Sequence, residues 1–292
     1  MSSIRKQGRE IVLYLHVGLH KTGTTFLQRN VLNSFPNVKY LGKLGKPTKI
    51  NKLYKNILED RHKKYIFSDE AIIGGLNPRY TIKDGSWLKD QISGIKALGE
   101  LFPNARIIIG FRRHEKLLSS MYRHYLKYGG KKKIEQYFSF DEKGIIKPED
   151  LIFKIRLDNI EKHFNHLPFV YTLEEIQYNF DNFINRLNRY IGEECLSELE
   201  PHRKFNIGVN HYQAKMLLFL NRLFKTSVEP QILRRTILNY FKISNYHLSR
   251  YLLFFDKQSF KLPKSLEDKV KMYYKEDWDY IDEYIKRNTD IK

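Results

Sequence analysis

The sequence has only one cysteine, Cys195, in 292 residues. A single cysteine excludes an intramolecular disulfide, and it argues against a metal site built from thiolates. Its neighbours Glu193, Glu194 and Glu198 disfavour the reactive thiolate form by their negative charge, so we interpret the cysteine as structural.

Long apolar runs are also lacking. No segment approaches the roughly 20 apolar residues of a membrane-spanning helix. Arg5, Lys6 and Arg9 precede an apolar stretch, as in a signal peptide, but that stretch is short and no small-residue cleavage site follows it. We therefore expect a soluble protein that works in the cytoplasm.

The chain has no linker rich in proline, glycine and serine, and it has no internal repeat. Its hydrophobic content of 41%, with 14% aromatic residues, is sufficient for a substantial core. We predict one domain over residues 1–292, with an α/β core in 10–195 and a helical C-terminal extension in 196–292.

Negative charge is scarce, because 33 acidic residues stand against 52 lysines and arginines and leave a formal net charge of +19. Such a field favours acidic partners such as nucleotides and anionic glycans. The excess fits an anionic acceptor and a lysine-rich solvated surface equally well. No helix-turn-helix, zinc-finger or RNP signature accompanies the charge, so we expect no nucleic-acid partner.

Residues 11–28 combine three patterns that together are typical of a phosphate-binding turn. The apolar run 11–17 predicts a buried strand, and a helix-like pattern follows at 26–32. A glycine-bearing turn joins them. In this geometry backbone N–H groups converge on an anion, and the macrodipole of the following helix adds partial positive charge.

The turn departs from the nucleoside-triphosphate P-loop at one position. Gly18 and Gly23 have the spacing of G-x-x-x-x-G-K-[ST], but Thr24 stands where the lysine belongs. The lysine comes earlier, as Lys21, where its ammonium group would lie beside the bridging oxygen of a phosphate anhydride. This offset argues against an ordinary ATP site.

A second anion-binding pattern lies in residues 105–122. The run 107–111 predicts a central strand that is buried on both faces. Arg112 follows at its carboxyl end, on the side where ligands bind in such sheets, and Ser120 lies two helical turns further on. A planar guanidinium with a hydroxyl donor suits a terminal phosphate monoester.

Together the two stretches resemble the PAPS-dependent sulfotransferases, of the bacterial carbohydrate type. The resemblance implies a 5′-phosphosulfate loop and a 3′-phosphate-binding element, in which Ser120 fits the spacing better than Ser119 and His114 replaces the usual proline. It implies that Lys21 is catalytic. The residues it implies for binding PAPS in these two stretches are His20, Lys21, Thr22, Gly23, Thr24, Thr25, Arg112 and Ser120.

The apolar run that begins at Lys64 ends in Ser68, Asp69 and Glu70. We consider three hypotheses for the role of these polar residues. The resemblance implies that Glu70 is the general base that deprotonates the acceptor. In a kinase or NTPase, Asp69 and Glu70 would instead form a Walker B element. A helix N-cap is the third hypothesis, and we favour it for Asp69.

A late basic segment, 201–210, contains Arg203. By the resemblance this loop would close over the nucleotide, and Arg203 would help to hold its 3′-phosphate. A plain interhelical loop fits the segment equally well.

The sequence thus predicts an α/β, P-loop-like three-layer fold with a central parallel sheet and a helical C-terminal part. The implied function is transfer of the sulfuryl group of PAPS to a hydroxyl or amine of a carbohydrate or glycan, without a metal. A P-loop kinase or NTPase is the alternative. Further predicted elements are strands at 38–41 and 167–172 and helices at 50–59, 87–102, 147–164, 173–191, 212–224 and within 231–288.

Overall fold

A computed structural model gives the fold and describes residues 5–6, 9–42, 63–75, 86–196, 209–223 and 259–289. The predicted helix at 50–59, the loop residue Arg203 and residues 231–258 lie outside these ranges. The strands are β1 (Arg5–Lys6), β2 (Arg9–Glu10), β3 (Val12–His16), β4 (Val38–Tyr40), β5 (Lys64–Ser68), β6 (Arg106–Phe111) and β7 (Phe169–Thr172).

The central sheet has five strands in the order β4-β5-β3-β6-β7, and every neighbouring pair is parallel. The first strand of this sheet along the chain, β3, lies in its middle, because the chain passes to β4 and β5 on one side and later to β6 and β7 on the other. This confirms the predicted α/β fold with a central parallel sheet. β1 and β2 form a separate two-stranded antiparallel ribbon.

Four strands of the central sheet, β3, β5, β6 and β7, are buried on both faces, as the apolar runs of β3 and β6 predicted. Along β3, Leu13 and Leu15 belong to one core cluster, whereas Tyr14 between them belongs to the other. Alternate side chains of a strand point to opposite faces, so these clusters lie on the two sides of the sheet. Helices on both faces then complete three layers.

The helices are α1 (Thr24–Asn30), α2 (Trp87–Leu101), α3 (His114–Lys127), α4 (Ile134–Tyr137), a 3-10 turn (Pro148–Leu151), α5 (Phe153–His163), α6 (Leu173–Tyr178), α7 (Phe180–Ile191), α8 (His211–Leu223), α9 (Lys264–Tyr273) and α10 (Lys275–Thr289). Two predicted helices are wrong in extent. The helix predicted at 147–164 starts only at Phe153, and the one at 173–191 is interrupted at Asn179.

The late start of α5 has a clear physical cause in the C-terminal helix α10. The Asp277 carboxylate accepts hydrogen bonds from the backbone N–H groups of Phe153 (2.7 Å) and Lys154 (2.9 Å), the first two residues of α5. It also lies 3.0 Å from His114 Nε2 at the start of α3. One buried carboxylate therefore ties α10 to two helices of the α/β core.

Thr172 caps α6, since its hydroxyl accepts a hydrogen bond from the backbone N–H of Glu175 at 3.0 Å. Glu175 in turn pairs with Arg186 on α7, at 2.5 Å. This pair holds the two short helices together across the break at Asn179. Among the helices described here, none is both long and apolar enough to cross a membrane.

Candidate functional site

The turn between β3 and α1 has the backbone of an anion-binding loop. Lys21 and Gly23 both have left-handed backbone angles, with φ values of 72° and 91°. Gly23 is the N-cap residue of α1, which begins at Thr24, two residues earlier than the sequence pattern suggested. A left-handed lysine is uncommon, so the surrounding structure must hold Lys21 in this conformation.

Gly18 lets the turn pass closely over the end of β3. A Cβ atom at this position would lie 2.8 Å from His16 Nε2 and 3.3 Å from Thr24 Oγ1. The first distance is too short for any side chain, so only glycine fits. The turn is thus pressed onto a buried polar group beneath it.

This group, which we call the polar floor, consists of His16, Gln28, Ser68 and Tyr171. His16 Nδ1 lies 2.7 Å from Ser68 Oγ, and its Nε2 lies 2.9 Å from the Tyr171 hydroxyl. Gln28 donates a hydrogen bond to Ser68 Oγ at 2.9 Å. Because complete burial penalises the charged imidazole, the pKa of His16 falls to about 4, and the floor stays neutral at physiological pH.

Glycine at position 110 is what allows the floor to form. The Tyr171 ring extends from β7 across the intervening strand β6 to reach His16 on β3. A Cβ at Gly110, in that strand, would lie 2.2 Å from Tyr171 Cζ. Any other residue at 110 would displace the ring. The floor therefore joins three strands directly beneath the turn.

Lys21, the predicted catalytic residue, is partly buried among other cations. Burial lowers the pKa of its ammonium group; the charge of Glu70 opposes this shift, and Lys127, Arg123 and Arg112 add to it. A cation held in such surroundings gains strongly from a bound anion, because an anion offsets both the desolvation and the repulsion.

Glu70 lies beside the turn. One of its carboxylate oxygens is 3.5 Å from His20 Nδ1, and both side chains are mostly shielded from solvent. Asp69 instead accepts a hydrogen bond from the backbone N–H of Ala71 at 2.9 Å. Residues 70–74 form a turn, so the helix N-cap predicted for Asp69 is corrected to a turn cap.

Arg112 joins the second predicted element to the first. Its Nη1 donates a hydrogen bond to the backbone carbonyl of Lys21, at 3.3 Å. Burial lowers the pKa of its guanidinium, whereas the charges of Glu174 and Glu115 oppose the shift. Lys21 and Arg112 are 91 residues apart along the chain, so the two stretches that the sequence singled out meet at the carboxyl edge of the sheet.

The structure also distinguishes the two serines on α3. Ser119 donates a hydrogen bond to the backbone carbonyl of Phe260, at 2.8 Å. Its hydroxyl thus connects α3 to the chain segment just before α9. Ser120 is buried as well, at 8% exposure, and it lies on a different side of the helix.

Two site residues were missed by the sequence analysis, Arg123 and His124. Both follow Ser120 by one helical turn, so they share a face of α3 with it. Burial lowers the pKa of Arg123 to about 10, with the charge of Arg112 as the second cause. Burial, then the charges of Lys21 and His20, lower the pKa of His124 to about 3. Spacing of three and four from Ser120 was the signal available in the sequence.

Several buried polar atoms near the turn have no hydrogen-bond partner within the part of the chain that the structure describes. They include Thr24 Oγ1, His20 Nε2, Arg112 Nε, Arg123 Nε, His124 Nδ1 and both carboxylate oxygens of Glu174. Buried polar groups are nearly always hydrogen-bonded in native proteins. Because two guanidinium groups belong to this set of exceptions, we interpret it as a place for an anionic ligand.

Glu174 provides opposite charge at the margin of this cluster. It lies 3.6 Å from Lys116, and its charge acts on Arg112. In the described ranges, no group of three or more histidine, cysteine or acidic side chains could hold a metal ion. Arg203 is not placed, so its predicted contact with the 3′-phosphate stays a prediction.

Comparison with known proteins finds a similarity among solved structures. No protein-family model matches the sequence, and no curated protein does. Among solved structures, the chain is similar to a retinol dehydratase in complex with androsterone and inactive cofactor PAP. The sequences are 10% identical, the match covers 96% of this chain and 81% of that one, and the TM-score is 0.32. A score this low carries no argument about function, which must come from the site.

Proposed function

We propose that this protein transfers the sulfuryl group of PAPS to a hydroxyl or amine of an acceptor molecule. The observation that supports the proposal is the set of buried, unpartnered polar atoms on the turn, Arg112 and α3. They lie on the two elements whose residues resemble the phosphosulfate loop and the 3′-phosphate-binding element. An anion with two separate phosphate groups would supply acceptors to both.

The donor would be held at two places. Backbone N–H groups of the turn, with Thr22, Thr24 and Thr25, would bind the 5′-phosphate, and left-handed Gly23 opens the turn for this contact. Arg112 and Ser120 would bind the 3′-phosphate. Charge-assisted hydrogen bonds of this kind contribute roughly 1.5–3 kcal/mol each.

Sulfuryl transfer would proceed in line, with the acceptor oxygen or nitrogen attacking sulfur. The bond between sulfur and the bridging oxygen breaks, and the electron pair stays on the leaving nucleotide. Lys21 would stabilise the charge that develops on that bridging oxygen. Glu70, which lies near Lys21 and His20, would take the acceptor proton.

The kinase alternative has less support from the site. Thr24 occupies the position of the P-loop lysine, and the Asp69 carboxylate accepts a backbone hydrogen bond in the turn that follows β5. The predicted carbohydrate class of the acceptor stays a prediction, because the residues described here do not define an acceptor pocket.

Thermal unfolding with PAP, ADP and ATP tests the proposal. A ligand present at 100 times its Kd stabilises the native state by about 2.7 kcal/mol, so PAP should raise Tm clearly and more than either other nucleotide. Arg112→Gln should abolish most of the shift with PAP. A larger shift with ATP and Mg²⁺ than with PAP, or a full PAP shift in the variant, would contradict the proposed site.

A further inference from the structure

We propose that Arg123 is a second guanidinium of the 3′-phosphate site, so that Arg112 and Arg123 together select a nucleotide carrying a phosphate monoester at this position. The inference rests on the proposed function, which assigns Arg112 and Ser120 to that phosphate. It adds a residue that the resemblance did not indicate.

The helix geometry places Arg123 next to the proposed ligand position. Residues three apart on an α-helix are neighbours on one face, with Cβ atoms roughly 5–6 Å apart. Arg123 therefore follows Ser120 on the same face of α3, within the helix His114–Lys127. A ligand that contacts the Ser120 hydroxyl is within reach of the longer arginine side chain.

The two arginines share two properties that suit an anionic ligand. Arg112 Nε and Arg123 Nε are both buried without a partner among the described residues. Their charges are close enough for Arg112 to lower the pKa of Arg123, which nevertheless stays protonated at neutral pH. Two like charges buried together are unfavourable unless an anion lies near both of them.

A phosphate monoester meets these requirements better than a diester. It can carry two negative charges and offers three terminal oxygens, and guanidinium groups bind such oxygens in paired hydrogen bonds. The turn around Lys21 and Gly23 already provides for the 5′-phosphate. The arginine pair would therefore distinguish nucleotides by the phosphate on their 3′ oxygen and not by the one on their 5′ oxygen.

The test compares Arg123→Gln with the full-length wild type by calorimetric titration of PAP, 3′-AMP and 5′-AMP at one ionic strength. Losing a charge-assisted contact worth about 1.4 kcal/mol weakens binding about tenfold. We expect at least this loss for PAP and for 3′-AMP, and less than about twofold change for 5′-AMP. Arg123→Lys keeps the charge but not the paired donors of the guanidinium group, so its affinity for PAP should lie between those of the wild type and Arg123→Gln.

Arg113→Gln is the matched control, because Arg113 is exposed at the start of the same helix and lies over the Trp278 ring, 4.9 Å from its centre. Its affinities should equal those of the wild type. Unchanged PAP affinity in Arg123→Gln, or equal losses for 3′-AMP and 5′-AMP, would overturn the assignment of Arg123. Wild-type protein that fails to bind PAP would instead overturn the proposed function itself.

Discussion

Two of the regions that shield arginines from solvent differ in the hydrogen bonds they offer them. Arg156, on α5, is fully buried and donates to Gln91 Oε1 of α2 at 2.6 Å and to the carbonyls of Asp150 and Ile152, both at 2.7 Å. Arg112 and Arg123, at the edge of the sheet, each leave Nε without a partner in the described chain.

The pKa values alone do not reveal this difference. Burial lowers the pKa of Arg156 to about 10, and it lowers that of Arg123 to about 10 as well. What differs is the number of hydrogen-bond acceptors. Each guanidinium nitrogen of Arg156 donates to an acceptor, whereas the Nε atoms of Arg112 and Arg123 have none among the described residues. A desolvated cation is therefore a sign of a ligand site only where its hydrogen bonds are also incomplete.

The largest effect should come from exchanging the two kinds of arginine for methionine. Arg156→Met removes the donor from three buried acceptors, so the free energy of unfolding should fall by about 3–5 kcal/mol. Arg112→Met removes a cation that is incompletely paired, so stability without ligand should change by less than about 1 kcal/mol. Urea denaturation measures both. Equal losses would break the distinction between the two regions.

Acid should destabilise the protein through the polar floor. The pKa of His16 is about 4 in the folded protein and 6.5 for the free side chain. Between these pH values the unfolded chain binds a proton that the folded chain does not, so stability is full above pH 6.5 and falls towards pH 4. The full shift corresponds to about 3 kcal/mol.

Urea denaturation across this pH range checks the prediction. His16→Gln should flatten the dependence of stability on pH, although His124 will keep part of it, since its pKa is also lowered. An unchanged slope in His16→Gln would show that the floor does not titrate as described.

The sequence predicted the strands and turns that carry this site, but it did not predict the polar floor. The apolar runs and their polar ends placed Lys21, Glu70 and Arg112 at the carboxyl ends of parallel strands, where the structure has them. The floor depends on the lateral order of β5, β3, β6 and β7, and no local pattern records that order. His16 sits inside an apolar run, and Tyr171 appears there as an ordinary strand aromatic.

The helix boundaries were missed for a related reason. The start of α5 is set by Asp277, which is 124 residues away from Phe153 along the chain. Apolar periodicity continues through both the 3-10 turn and Asn179, so it could not show either break. Tertiary contacts, and not local preferences, decide these boundaries.

Two carboxylates, Asp277 and Glu70, should differ in what their loss changes, stability for the first and turnover for the second. Asp277 has three partners, His114 and the N–H groups of Phe153 and Lys154, so Asp277→Asn should lower stability by about 2 kcal/mol.

Glu70→Gln should leave stability and PAP affinity nearly unchanged and slow the turnover of PAPS about a hundredfold, as expected for loss of a general base. PAP release from PAPS measures the rate; an unchanged rate would remove Glu70 from this role.

The smallest and most discriminating effect concerns neighbouring serines on α3. Ser119→Ala removes the hydrogen bond to the carbonyl of Phe260 and should lower the free energy of unfolding by about 1 kcal/mol, with PAP affinity unchanged. Ser120→Ala should do the opposite, changing stability by less than about 0.5 kcal/mol and weakening PAP binding about tenfold. Because the two variants remove the same atom from adjacent residues, size and helix propensity cancel between them. If Ser119→Ala and Ser120→Ala weaken PAP binding equally, the Ser120 hydroxyl has no specific contact with the ligand. The proposed difference between the structural role of Ser119 and the binding role of Ser120 is then wrong.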